Sequence, residues 1–115
     1  MLKDKFRGYF GEFVATLLLL CKGYRILEHR YKWNGREIDI IAKRGNKISF
    51  VEVKTRKSEE KCQIAITPQQ LNRIRKTSQL FLKCNPKYLN HDLSYDVILV
   101  ADWSFPKHIE NVSVD

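Results

Sequence analysis

Cysteines, long apolar runs and acidic residues are all in short supply in this chain of 115 residues. The three cysteines are an odd number with no CxxC pair, which excludes a disulfide framework and a cysteine zinc site. The longest apolar stretch, residues 13–21, has nine residues, whereas a helix needs about 20 to cross a bilayer. No small-residue cleavage site follows it, so we expect a cytoplasmic protein without a signal peptide or membrane span.

Basic residues outnumber acidic ones. Lys and Arg total 21 against 13 Asp and Glu, a formal net charge of +8. Such a surplus is typical of a domain that binds nucleic acid, although a soluble basic protein without that partner has the same composition. The length fits one domain, residues 1–115, and an apolar fraction of 43% is too high for a disordered chain. We expect a core over about 5–102 and an edge strand or tail at 103–115.

Hydrophobic spacing and turn signals predict two helices and four strands. Apolar residues at helical spacing mark a helix over 5–22, which Gly23 ends. Thr67, Pro68 and Gln70 begin a second helix with a capping box. The predicted strands are residues 24–32, 36–43, 47–55 and 95–101. The order α-β-β-β-α-β predicts an α/β fold with a mixed sheet, whose last strand lies parallel to a neighbour through a right-handed crossover.

Small residues interrupt the first helix. Gly8 and Gly11, followed by Ala15, form a strip beside Glu12. Glycine inside a helix costs about 1 kcal/mol relative to alanine. The strip therefore indicates that another part of the backbone approaches the helix closely. Three histidines, by contrast, are isolated and show no metal-ligand spacing: His29, His91 and His108.

The predicted strands at 36–43 and 47–55 form a hairpin that brings acidic residues together. With residues 45–46 as a two-residue loop, paired positions have numbers that add to 91. Asp39 then lies opposite Glu52, and Glu37 lies opposite Lys54, all on one face. The other face carries apolar residues: Ile38, Ile40, Val51 and Val53. A slip of one residue would place Asp39 and Glu52 on different faces and remove the pair.

Two carboxylates directly opposed on a half-buried sheet repel each other. A protein tolerates them when a cation lies between them, and carboxylate oxygens suit Mg²⁺ or Mn²⁺. Lys54, two residues from Glu52, can hold a phosphate or orient a water. The two acids, a cation and this lysine are together the groups that a metal-assisted hydrolysis needs. The alternative is a pair of acids on a solvated strand, neutralised by nearby Lys and Arg. Glu12 is a third candidate acid, or an ordinary glutamate at the edge of the apolar stripe.

Several short motifs in order resemble the YraN-like family, small bacterial proteins related to archaeal Holliday-junction resolvases. The resemblance covers about residues 8–101 and implies a restriction-endonuclease-like three-layer sandwich, a mixed sheet flanked by helices, with a PD-(D/E)XK site. The motifs are GxxGExxA at 8–15, GYRILE at 23–28, EIDIIA at 37–42, FVEVKTR at 50–56, ITP at 66–68 and YDV at 95–97. Asp…Glu-x-Lys alone would be a weak signal, whereas the order and spacing of all six are specific.

The resemblance also implies roles for individual residues. Asp39 and Glu52 would bind Mg²⁺ or Mn²⁺, and the carbonyl of Val53 would add a backbone oxygen. Lys54 would position or activate the attacking water. Glu12 would match a helical acid of resolvase-like proteins and contact the metal directly or through water. Relatives usually carry a basic residue where this chain has Gln70, which leaves Gln70 as an accessory that serves the capping box.

These features predict a Mg²⁺-dependent endonuclease that cuts DNA, including branched or structured DNA. Candidate phosphate contacts are Arg56, Lys57, Arg73, Lys76 and Lys83. The relation to resolvases implies a homodimer with two symmetric cuts. The alternative is a non-catalytic nucleic-acid-binding or adaptor protein that retains the fold, although binding alone gains nothing from carboxylates that face phosphates. The sequence leaves open DNA against RNA and the number of metal ions.

Overall fold

The structure is a computed structural model that describes residues 2–56, 67–101 and 105–112. The sequence also predicts a polar, charged loop over residues 56–66, of which 57–66 lie outside these ranges. Within them the chain forms helices α1, Leu2–Cys21, and α2, Pro68–Cys84, and a short 3-10 turn at Pro86–Tyr88. The strands are β1 Arg25–Trp33, β2 Arg36–Arg44, β3 Lys47–Arg56, β4 Asp92–Ala101 and β5 Lys107–Ile109. Neither long helix is apolar enough over its described residues to cross a membrane.

The five strands form one mixed sheet in the order β1-β2-β3-β4-β5. Neighbouring strands are antiparallel except β3 and β4, which run parallel because α2 carries the chain back across the sheet. This confirms the predicted α/β class and the parallel crossover. The segment predicted as an edge strand or tail contributes β5, which pairs with the later half of β4.

Each face of the sheet carries one helix, so the fold has three layers. On one face Ala15 and Leu19 of α1 pack with buried sheet residues such as Val51. On the other face Phe81 of α2 packs with residues such as Phe50. Side chains alternate along β3, which is why two consecutive residues reach different cores.

The tight turn before β2 and the predicted ends of the helices have the expected geometry. Asn34 and Gly35 both have positive φ, 51° and 76°, as the type I′ turn of a tight hairpin requires. Gly23 has φ of 89° and ends α1, with its N–H donating to the carbonyl of Leu20 at 3.1 Å. At the start of α2, the Thr67 hydroxyl and the Gln70 side chain form the predicted capping box.

The apolar stripe that predicts α1 does not face the sheet. An apolar stripe ordinarily marks the buried side of a helix, yet here Gly11, Ala15 and Leu19 are the buried positions. A Cβ at Gly11 would collide with Cγ2 of Thr55, so the helix lies directly on β3 at this point. Large side chains remain exposed on the opposite side of α1: Tyr9, Phe10, Phe13, Leu17 and Leu20.

The alternation of side chains breaks in β2 beside Asp39. Ile40 packs in the core under α1, but Ile38 packs in the core under α2. The expectation that these two isoleucines share a face is therefore wrong. In the neighbouring strand, Arg30 lies between the residues paired with Ile40 and Ile38 and has a left-handed φ of 50°.

Candidate metal-binding cleft

The predicted register between β2 and β3 is confirmed up to the acidic pair. From Arg44 with Lys47 to Ile40 with Val51, every paired position adds to 91. The ladder ends there, so Asp39 and Glu52 occupy the next positions without facing each other as a backbone pair. The sheet continues on the other side of β3, which stays paired with β4 through Arg56. The two strands therefore part at the acids and leave a cleft.

This cleft encloses about 220 Å³. Its acids come from the two parting strands, and the wall across from them comes from the first turns of α2 and the β1–β2 hairpin. Charged and polar residues of the lining are Glu37, Asp39 and Glu52 with Arg36, Gln70 and Arg73. The sequence thus identified the acids correctly as neighbours but gave no signal for Arg36, which follows an ordinary hairpin turn.

Asp39 is held in place by the edge of β3. Its Oδ2 accepts the backbone N–H of Val53 at 2.8 Å. The pKa of Asp39 is raised from 3.8 to about 6, mainly because the group is buried. The bond from Val53 opposes this rise, and the charges of Glu12, Glu52 and Glu37 add to it. A carboxyl group with a raised pKa is common at functional sites. A bound cation would favour its charged form and lower the pKa again.

Glu52 supplies the second carboxylate and an unsatisfied atom. Its Oε2 is buried and has no hydrogen-bond partner within the described part of the chain. Buried carboxylate oxygens are nearly always bonded, since leaving one without a donor costs several kcal/mol. A hard divalent cation would satisfy this oxygen, so the residues present fit the metal that the sequence predicts.

Lys54 follows Glu52 on the same side of β3. Phe50 belongs to the core under α2, and Val51 and Val53 belong to the core under α1, so the regular alternation places Glu52 and Lys54 on the α2 side. Lys54 is half-buried. The predicted pairing of Lys54 with Glu37 falls beyond the end of the ladder, and Glu37 is exposed at the cleft.

Glu12 has a partner that the sequence did not reveal. Arg30 donates from Nε to Oε1 of Glu12 at 2.8 Å, and its guanidinium lies 4.1 Å from the ring centre of Tyr9. The bond to Glu12 raises the pKa of Arg30. The ion pair joins residues 18 positions apart in elements of unlike periodicity, so no local pattern signals it. Glu12 thus lies close enough to Asp39 to raise the pKa of Asp39, while its own carboxylate is bound to Arg30.

The three predicted acids do not form a compact ligand group in the described residues. Asp96, His108 and Glu110, by contrast, have possible ligand atoms that lie within 4.8 Å of one another. The structure thus brings Asp39 and Glu52 into one cleft, whereas Glu12 lies in a separate depression with Tyr9 and Arg30. Coordination by the Val53 carbonyl remains a prediction.

The prediction that His108 is isolated is wrong. His108 Nε2 lies 2.8 Å from Oδ2 of the fully buried Asp96, and its Nδ1 lies 2.6 Å from Nζ of Lys22. Asp96 also accepts bonds from the Ser94 hydroxyl and the Asn111 N–H. Every oxygen of Asp96 therefore has a protein donor. We assign this network a structural role, because it joins β4, β5 and the end of α1.

The predicted phosphate contacts lie in different surroundings. Arg73 lines the cleft, whereas Lys76 and Lys83 are exposed on α2 and do not line it. Arg56 ends β3 without a described side chain, and Lys57 lies outside the described residues. Gln70 lines the cleft while its side chain accepts the N–H of Thr67 in the capping box.

Comparison with known proteins identifies relatives along nearly the whole chain. The model of the uncharacterised protein family UPF0102 matches residues 11–100, which include every acid of the cleft. A UPF0102 protein of Bradyrhizobium diazoefficiens is 42% identical over 102 residues, 89% of this chain and 77% of the relative. A UPF0102 protein of Rhizobium meliloti is 41% identical over 108 residues, 94% and 88% respectively. One from Brucella canis is 39% identical over 104 residues, 90% and 82%.

Proposed function

This chain belongs to the uncharacterised protein family UPF0102, and we propose that it hydrolyses phosphodiester bonds in DNA with a divalent cation at Asp39 and Glu52. The family is the YraN-like one that the sequence motifs indicate. The proposal depends above all on the buried Oε2 of Glu52, which has no protein donor among the described residues and lines the same cleft as the half-buried Asp39. Two such carboxylates are destabilising unless a cation neutralises them.

We also propose that the fold is restriction-endonuclease-like. In its support, the described chain has a mixed sheet between two helices in the order α-β-β-β-α-β-β. The acids lie where two antiparallel strands of this sheet part, so both carboxylates reach a common cleft without breaking the core beneath. This placement gives solvent and substrate access to a site whose position the sheet fixes.

The cleft offers two fixed carboxylates for Mg²⁺ or Mn²⁺. Asp39, oriented by the Val53 N–H, and Glu52 would hold the ion, with the Val53 carbonyl as a backbone donor. Glu12 would contribute through water, which is compatible with its bond to Arg30. When bound, the ion supplies stabilisation of the charge that develops on the phosphate and lowers the pKa of a water.

Cationic side chains at and beside the cleft would bind the phosphate group. Lys54, on the same side of β3 as Glu52, would orient the attacking water or neutralise a phosphate oxygen. Arg36 and Arg73 lie at the cleft and would bind phosphates of the DNA backbone. Arg73 would take the part that the family resemblance gives to a basic residue at position 70, since the Gln70 side chain is engaged in the capping box. The net charge of +8 favours such a polyanion.

The test is cleavage of plasmid, linear and four-way-junction DNA, each with Mg²⁺, Mn²⁺ or chelator. We expect metal-dependent cutting that Glu52→Gln and Lys54→Ala abolish, while Glu28→Gln, at an exposed glutamate of β1, cuts like wild type. The junction and linear arms decide whether branched DNA is preferred. DNA binding that survives chelator and both substitutions, with no cutting of any substrate, would favour the non-catalytic binding protein and contradict the enzyme.

A further inference from the structure

The outer face of α1 is an apolar surface that the described fold leaves uncovered. We define it by four residues, Phe10, Phe13, Leu17 and Leu20, which are 46–60% exposed. A contiguous patch of several large apolar side chains is often functional and commonly marks a contact with a partner. The sheet cannot cover them, because α1 already rests on it through Gly11 and Ala15.

We propose that this outer face is the contact between two copies of the chain, with their α1 helices packed antiparallel about a two-fold axis. The inference concerns a surface away from the acidic cleft and does not depend on the proposed hydrolysis. Spacings of three, four and three residues are the a/d pattern of a helix that packs on another helix. A stripe this narrow suits a helical partner better than a flat surface.

The order of the side chains fits a second copy of the same helix. In an antiparallel pair centred on Ala15, Phe10 of one copy faces Leu20 of the other, and Phe13 faces Leu17. Each layer then combines a large aromatic ring with a smaller leucine, which fills the interface evenly. A parallel pair would place ring against ring and leucine against leucine. The antiparallel arrangement also opposes the two helix dipoles favourably.

The charges around the face also favour self-association. Between residues 9 and 21, four positions beside the stripe carry no charge: Tyr9, Val14, Thr16 and Cys21. Two copies with a net charge of +8 each would repel across a basic surface, and this face avoids that repulsion. Helices that lie on anionic membranes instead carry Lys and Arg on a polar side exposed to solvent, whereas the other side of α1 is buried on the sheet.

The size of the face is adequate for a dimer. At about half exposure, three aromatic and two leucine side chains, with Tyr9 included, leave roughly 400 Å² of apolar surface. A standard interface takes about 800 Å² from each partner, somewhat over half of it apolar. The outer face therefore supplies most of the apolar core of such an interface, and polar residues at its rim would supply the remainder.

Sedimentation of the full chain tests the proposal. We expect wild type to be a dimer, and we expect Phe13→Glu or Leu17→Lys alone to weaken the dimer about a hundredfold. Because Phe13 faces Leu17 of the second copy, an equal mixture of the two variants should recover a dimer through one Glu–Lys pair. Leu89→Lys, at an exposed leucine outside α1, should remain dimeric. Circular dichroism verifies that each variant is folded.

Three results would overturn the proposal. If wild type is a monomer at all concentrations tested, the dimer is excluded. If that monomer also sediments with phosphatidylglycerol vesicles, the face is a membrane-binding surface instead. Dimers that persist in both folded single variants would place the contact elsewhere. Two monomeric variants that stay monomeric when mixed would exclude the antiparallel pairing.

Discussion

Asp39 accepts the backbone N–H of Val53 at 2.8 Å, one position beyond the last backbone pair of β2 and β3. The side chain thus takes over a hydrogen bond from the ladder at the point where the strands part. This bond fixes a carboxylate at the cleft and also satisfies a backbone donor that would otherwise be unpaired. Glu52 lies on the adjacent strand with one oxygen that has no donor among the described residues. The acidic cleft is therefore part of the sheet's own construction.

Replacing Asp39 by asparagine should stabilise the metal-free protein at pH 7. Burial and neighbouring acids raise the pKa of Asp39 to about 6, so its charge costs about 1–3 kcal/mol at pH 7. The asparagine side chain keeps an oxygen for the Val53 N–H without the charge. Urea unfolding in chelator should therefore show a higher midpoint for Asp39→Asn. Asp92→Asn, at an exposed acid of β4, should not change it, and a destabilised Asp39→Asn would contradict this account.

The close approach of α1 to β3 should make Gly11 intolerant of a methyl group. Alanine is about 1 kcal/mol better than glycine inside a helix, yet Gly11→Ala should lower the free energy of unfolding by about 1–3 kcal/mol because its Cβ meets Cγ2 of Thr55. Adding Thr55→Ser removes that methyl group and should restore stability. Chemical denaturation measures both variants. A stabilising Gly11→Ala would show that α1 lies further from the sheet.

Arg30 should respond differently to glycine and alanine. Its φ of 50° is strained for any residue with a Cβ, and both substitutions remove the bond to Glu12 equally. Arg30→Gly should therefore be more stable than Arg30→Ala by about 1 kcal/mol, as thermal unfolding can measure. Equal stability of the two variants would mean that Arg30 is not held in the left-handed region.

Asp96 should contribute stability that depends on pH. Burial would raise the pKa of Asp96, but bonds from His108, Ser94 and the Asn111 N–H hold it below its ordinary value. The contribution is thus complete above the unfolded-state pKa of about 3.9 and is lost as pH falls through the lower folded-state pKa. Asp96→Asn should lower the free energy of unfolding by about 2–4 kcal/mol at pH 7, as measured by urea unfolding. The difference in this free energy between wild type and variant should narrow toward pH 3. A difference that stays constant with pH would contradict the claim that this stabilisation is lost in acid.

Local signals in the sequence account for much of the fold. The Asn34 and Gly35 turn, the glycine that ends α1 and the Thr67 capping box all depend on a few adjacent residues with defined backbone preferences. The register of β2 and β3 also follows from one short loop at 45–46, which is why the two acids were placed at the same point of the sheet.

Features that depend on distant contacts could not be predicted. The bond between Glu12 and Arg30 joins separate elements, and the break in alternation at Asp39 appears only in the packing of Ile38 and Ile40 against different helices. The buried face of α1 was equally hidden, because its largest apolar residues point outward and a small residue, Gly11, makes the closest contact. His108 gains its partners only through the pairing of β5 with β4.

Binding of Mn²⁺, measured by isothermal titration calorimetry, tests the central claim most directly. Wild type and Glu28→Gln should bind the ion alike, since Glu28 is exposed on β1. Glu52→Gln should bind it at least about tenfold more weakly, because it replaces the carboxylate whose Oε2 lacks a protein partner among the described residues. Equal affinities in all three proteins, or no binding by wild type, would contradict a metal site at Asp39 and Glu52.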